Sequence, residues 1–171
     1  MIQNKRQLVD AIKAAGLPQN LLKIWDGDVP AQLRYTLQDP SSFFEAFLMH
    51  PEGFPSPDEL VILWQTNGES IVGYLSVTGI FIFNYLEDGP DDYDVLGSTY
   101  QQMLGDLFSK LIMREVPDQE LAECVDFLDF RYLPQLQGFM AHNPDWETNT
   151  IPFIAGLEAS ASPPDSDSTS G

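Results

Sequence analysis

The chain has 171 residues, 43% of them hydrophobic, including 11 Phe, 6 Tyr and 3 Trp; that is enough apolar material for a core and excludes wholesale disorder. It carries 26 acidic against 8 basic residues, a formal net charge of −18. Such a charge repels phosphate backbones and anionic headgroups, which argues against nucleic acid and membranes as partners; it favours encounter with a basic protein, and it also promotes solubility.

The expected organisation is one α+β domain over residues 1–155, followed by a disordered low-complexity tail over 156–171. The architecture expected is a small, mainly antiparallel sheet with helices packed on one side and further helices toward the C-terminus. Leu8, Val9, Ile12 and Ala15 recur at helical spacing, and Gly16 and Pro18 end that run. A short helical turn over 19–25 stops at Asp26-Gly27. The stretch Val29 to Leu37 is ambiguous, because its alternation suits a strand while Pro30 suits a helix start. Asp39 then caps a helix with Pro40 at its first position and Phe43, Phe44, Phe47 and Leu48 on its apolar face. Prolines 51, 55 and 57 break the chain into a loop.

Three strands are expected over residues 60–64, 71–75 and 80–85. Asn67-Gly68 marks a hairpin, since both residues accept the positive φ of a type I′ turn. The third run is almost uniformly apolar, as in a central strand covered on both faces. Residues 87–94 pack five carboxylates around Gly89-Pro90, which reads as an exposed loop. Ser98, paired with Gln101 as a capping box, opens the main amphipathic helix, striped by Tyr100, Met103, Leu104, Leu107, Phe108, Leu111 and Ile112. A helix from about Asp118 turns Leu121, Cys124, Val125 and Leu128 inward, and a shorter one spans residues 134–140.

Little here speaks for catalysis. Cys124 is the sole cysteine and lies on an apolar stripe, so a buried structural thiol is expected and no intrachain disulfide can form. Neither His50 nor His142 has a sequence neighbour that would make it a ligand or a base. No phosphate-binding glycine loop, nucleophile elbow, His-Glu-x-x-His or Cys-x-x-Cys occurs. The acidic loop fits calcium poorly: counting from Asp88, the twelfth position is Thr99, where an EF-hand needs glutamate. A solvated loop and a recognition loop for a cationic partner both remain open. Trp64 is expected in the core, whereas Trp25 and Trp146 lie at element edges where an aromatic can be half exposed. Neither a signal peptide nor a membrane span is evident, so a cytoplasmic protein without cofactor or metal is expected.

Three segments resemble the SUKH superfamily, whose members include bacterial immunity proteins. Residues 16–27, Gly-Leu-Pro-Gln-Asn-Leu-Leu-Lys-Ile-Trp-Asp-Gly, are similar to its early Leu-Pro helix leading to a glycine. Thr66-Asn67-Gly68-Glu69-Ser70 is similar to its polar turn between central strands. Ile80 to Tyr85, the acidic loop and Ser98 to Leu111 are similar to its last strand, loop and closing helix. The resemblance implies an α+β domain that binds and blocks a toxin, often a nuclease, without chemistry of its own. The residues expected to meet such a partner are Glu87, Asp88, Asp91, Asp92 and Asp94 for steering, with Tyr85, Tyr93 and Trp25 as packed contacts. The alternative is a small acidic secretion-type chaperone or adaptor that binds an extended segment; the oligomeric state is open.

Overall fold

The structure, a computed structural model, describes residues 5–161. It is an α+β fold: four antiparallel strands in the order β1-β2-β3-β4, with seven α-helices among the described residues. The elements are α1 (Lys5–Ala14), α2 (Leu21–Trp25), α3 (Ser41–Met49), β1 (Leu60–Thr66), β2 (Ser70–Leu75), β3 (Ile80–Tyr85) and β4 (Tyr93–Gly97). They continue with α4 (Tyr100–Met113), α5 (Asp118–Leu128), α6 (Leu133–His142) and α7 (Trp146–Ala161).

The sheet is a simple meander, its successive strands joined by connections of three, four and seven residues. Asn67 and Gly68 take φ of 54° and 72°, and Glu69 N donates to Thr66 O at 3.1 Å, as the type I′ expectation requires. One face of the sheet sends Val61, Trp64, Val72, Phe81 and Leu96 into the main core. There they meet Leu8 and Ile12 of α1, Leu21 and Ile24 of α2, and the apolar stripe of α4. A bulge between Ile62 and Trp64 brings Leu63 into this core as well, so the fully buried Trp64 sits opposite Val72. The other face sends Leu60, Ile62, Ile71, Leu75 and Ile82 to a second cluster built on Phe43 and Phe47 of α3 and Phe54 of the proline loop. Among the described residues most helices therefore gather on one face, while α3 covers the other.

Several local expectations change. The ambiguous stretch around residue 33 forms a 3-10 turn, Ala31–Leu33, and then meets the sheet at an isolated bridge between Gln38 and Gln65, beside which Thr66 Oγ1 donates to Thr36 O at 2.8 Å. Sequence reading stopped at three strands, whereas Tyr93 and Asp94 belong to β4; Asn84 faces Tyr93 and Phe83 faces Asp94 across the ladder. The cap of α4 is shifted by one residue. Thr99 Oγ1 accepts from Gln102 N at 3.2 Å, and Gln102 Oε1 accepts from Ser98 N at 2.9 Å. Gln101, released from that duty, bridges Asp129 O and Arg131 N at 2.8 and 2.9 Å. Residues 156–161, assigned to a disordered tail, are the last turns of α7, where Leu157 packs against the core. The remainder of that expected tail, 162–171, lies outside the described residues. The short helix expected over 134–140 runs instead over Leu133–His142.

Helix α4 is enclosed rather than laid on the sheet as a surface helix. Gln101, Gln102, Gly105 and Ser109 are buried together with its apolar stripe, because α6 and α7 pack on the side away from the strands. The approach to α7 is close: a Cβ on Gly105 would stand 2.9 Å from Ile154 Cγ1 and 3.3 Å from Thr150 Cγ2. Asp39 Oδ1 accepts from Ser41 N at 2.9 Å and from the Ser41 hydroxyl in a turn that leads into α3, whose N-cap position is Pro40 and not the expected Asp39.

Candidate protein-interaction site

The turn joining β3 to β4 is organised from beneath by Asn84. This side chain is 1% exposed, and its Nδ2 donates to Gly89 O and to Asp92 O, each at 2.9 Å. Two carbonyls that would otherwise face inward unpaired are thus satisfied by one amide, and the turn closes over it. The amide nitrogen occupies the point on which those carbonyl oxygens converge, the place an ion would need. Among the described residues no group of three or more His, Cys, Asp or Glu side chains could hold a metal ion.

With the backbone held from inside, Glu87, Asp88, Asp91 and Asp92 all stand exposed on the turn, and Asp94 follows as an exposed residue on β4. None of the five carboxylates is engaged in an ion pair or accepts a hydrogen bond among the described residues. Their mutual repulsion is tolerable only because water screens it, and the field they share projects outward.

The structure brings Tyr85 and Tyr93 to the two ends of this turn. Tyr85 is 46% exposed and meets Phe83 edge to face at 4.8 Å. Tyr93 is half-buried and leans on the second cluster beside Leu86. Asp94 follows Tyr93 along β4 and therefore points to the opposite face of the sheet. Trp25 is elsewhere. It ends α2, which packs with β1, at the edge of the sheet opposite β4. Its ring sits edge-on to Phe44 at 5.6 Å, and its indole Nε1 is enclosed without a hydrogen-bond partner.

Sequence reasoning missed two members of the site. The first is Asn84, which reads as a polar interruption in an apolar strand; a lone Asn at an inward position is the signal that could have found it. The second is Glu69. The pairing of Ser70 with Tyr85 sets the two hairpin turns side by side, and Leu86 N donates to Glu69 O at 3.0 Å. Glu69 and Glu87 then flank one open cleft together with Gly68 and Leu86. A sixth carboxylate thereby joins the acidic end of the sheet.

The remaining candidates lie away from this turn. Cys124 is fully buried, and burial first, then Glu123 and Glu120, push its thiol up to about 11. A thiol so protonated at neutral pH is a poor nucleophile. His142 Nδ1 lies 2.8 Å from Gly138 O, one turn back on α6, and His50 Nδ1 lies 3.4 Å from Glu52 Oε1 with both side chains in solvent. Trp146 is half-buried where α7 begins, in a shallow cleft with Lys110 and Met113 of α4. Among the described residues no helix is long and apolar enough to cross a membrane.

Comparison with known proteins gives no match: no family model, no curated protein and no solved structure aligns significantly with this chain.

Proposed function

We propose that this protein is a non-catalytic binding module whose acidic sheet end engages a basic protein, in the manner of an immunity protein that neutralises a cationic, nuclease-type toxin in the cytoplasm. The observation that carries the reading is the Asn84-braced turn, which presents Glu87, Asp88, Asp91 and Asp92 to solvent from a fixed backbone, with no partner cations among the described residues. A nuclease presents basic surface to grip phosphates, and a rigid array of carboxylates can occupy that surface by matching its charge. The resemblance to the SUKH superfamily supports the same reading. Tyr85 would contribute the exposed aromatic contact; Trp25, enclosed at the other edge, would contribute through the core rather than at the interface.

The test is capture from the native host followed by kinetics. The wild-type chain and a variant carrying E87Q, D88N, D91N, D92N and D94N are compared against the captured basic protein, with inhibition of its nuclease activity as the readout. Association at low salt is expected to slow by about tenfold or more in the variant, with little change in melting temperature. Equal association rates would remove the turn from the interface.

One feature favours the adaptor reading instead. Strand β4 has a neighbour on one side only, and Val95 on it is 51% exposed. An extended segment could add there by strand pairing. Substituting Val95 with Pro would block strand addition but leave the carboxylates in place, so the two readings give opposite outcomes.

A further inference from the structure

The turn between β1 and β2 carries a chemistry of its own. Asn67 is the only asparagine of the chain that a glycine follows, and both residues are exposed. An asparagine so placed can lose its side-chain amide to its own backbone. The Gly68 nitrogen gives up its proton and attacks Asn67 Cγ; the N–Cγ bond forms, the Cγ–Nδ2 bond breaks, and ammonia leaves with that proton. Water then opens the resulting succinimide at either carbonyl, giving aspartate or isoaspartate. Nothing but water is consumed. The surroundings are open to it: even a Cβ on Gly68 would meet no atom within 4 Å.

What the fold controls is the nucleophile. Gly68 N donates to Gln65 Oε1 at 2.8 Å, and Asn67 N donates to Gln38 Oε1 at 3.0 Å. The two glutamines are themselves joined through their backbones, Gln38 N donating to Gln65 O at 3.0 Å and Gln65 N to Gln38 O at 3.2 Å. A donating N–H is held in place and resists deprotonation, so its reaction waits for a local opening, as hydrogen exchange does. The leaving group is under no such restraint, since the Asn67 side-chain amide makes no hydrogen bond among the described residues. We propose that Asn67 is a deamidation site gated by this glutamine latch, converting to aspartate or isoaspartate only while Gln65 has released Gly68 N. The product sets a further carboxylate beside Glu69 and Glu87, which line the cleft next to Gly68. Isoaspartate also adds a backbone carbon to a turn whose length fixes the register of β1 against β2. The chemistry does not depend on the function proposed above.

The experiment ages the full chain at mildly alkaline pH and follows conversion at Asn67 by peptide mapping, with hydrogen exchange of the Gly68 amide measured alongside. The same chain unfolded in urea, where the latch is absent, is the reference. Conversion of the native chain should be slower than in urea by a factor that matches the exchange protection of the Gly68 amide. Gln65→Ala should speed both conversion and Gly68 exchange by about threefold to tenfold, the worth of one hydrogen bond. Gln65→Glu keeps an acceptor and should stay close to the wild-type rate, which a general loosening of the hairpin would not produce. Equal rates in the native and unfolded chains, a folded Gln65→Ala variant that ages like wild type, or a Gln65→Glu variant as fast as Gln65→Ala would overturn the proposal. A native slowing far from the Gly68 protection would overturn it on the wild-type chain alone, even where a variant is unstable.

Discussion

Asn84 Nδ2 holds the carbonyl of Asp92 at 2.9 Å, reaching across eight residues from the buried side of β3 to the start of β4. Replacing Asn84 with Leu removes the donor and leaves the Asp92 and Gly89 carbonyls facing an apolar group. The expected cost is about 1–3 kcal/mol, with faster hydrogen exchange at the amides of Asp88, Gly89, Asp91 and Asp92. Retained protection there would mean that the turn holds its shape by itself.

Helix α7 supplies a cap for α4. Glu158 Oε2 accepts from Thr99 Oγ1 at 2.8 Å and from Gln102 Nε2 at 3.0 Å, placing negative charge at the positive end of the α4 dipole. Glu158→Ala is expected to lower stability by about 1–2 kcal/mol, read as a lower denaturant midpoint with an unchanged slope. Because the pair is partly solvated, Glu158→Gln should recover part of the loss by retaining an acceptor.

Gly105 is set by a neighbour and not by its own backbone. Alanine is the better helix former by about 1 kcal/mol, yet its methyl would stand 2.9 Å from Ile154 Cγ1. Gly105→Ala should therefore destabilise, by about 1–3 kcal/mol from overpacking. In combination with Ile154→Ala, which removes Cγ1, the penalty should shrink, and a double-mutant cycle measures that coupling. Strictly additive effects would refute the contact.

The alkaline limb of stability should report Cys124 and Tyr100. The Cys124 thiol is raised from 9.0 to about 11, chiefly by burial, and the Tyr100 hydroxyl is raised above 10.0 by burial and then by Asp129. A raised acid keeps its proton in the folded state longer than in the unfolded state, so unfolding releases protons once pH exceeds the unfolded value. Each group's contribution is complete below its unfolded pKa and declines as pH rises toward the folded one. Stability should fall from about pH 9 upward, and Cys124→Ala should flatten the first part of that fall. The Tyr100 hydroxyl is also buried without a partner, so Tyr100→Phe should cost little at neutral pH and flatten the later part.

The sheet and the main helix were legible because their signals are local. Alternating apolar runs, Asn67-Gly68 and the spacing of Met103, Leu104, Leu107 and Phe108 each act within a few residues. Strand β4 was hidden because Tyr93 and Asp94 read as loop chemistry, and only pairing with Asn84 and Phe83 makes them a strand. The capping register of α4 was hidden because Ser98 and Thr99 can both serve as N-cap residues, serine being the better of the two on its own. What selects Thr99 includes Glu158, 59 residues away. Of the candidate site, the charge was visible in composition and the brace was not. Trp25 looked accessible beside Asp26-Gly27, but its ring rests against Phe44 of α3, a long-range contact without a local signal.

The dependence of α4 on α7 also bears on biosynthesis. The inner residues Gln102 and Gly105 are covered by a helix that starts more than 40 positions later, at Trp146. A nascent chain halted before that point would carry a completed meander but leave one flank of its central helix bare to solvent or to chaperones. Closure must therefore wait until the last helical turns have been translated, and premature stops upstream of Trp146 should yield chains that are captured or degraded rather than a smaller working domain.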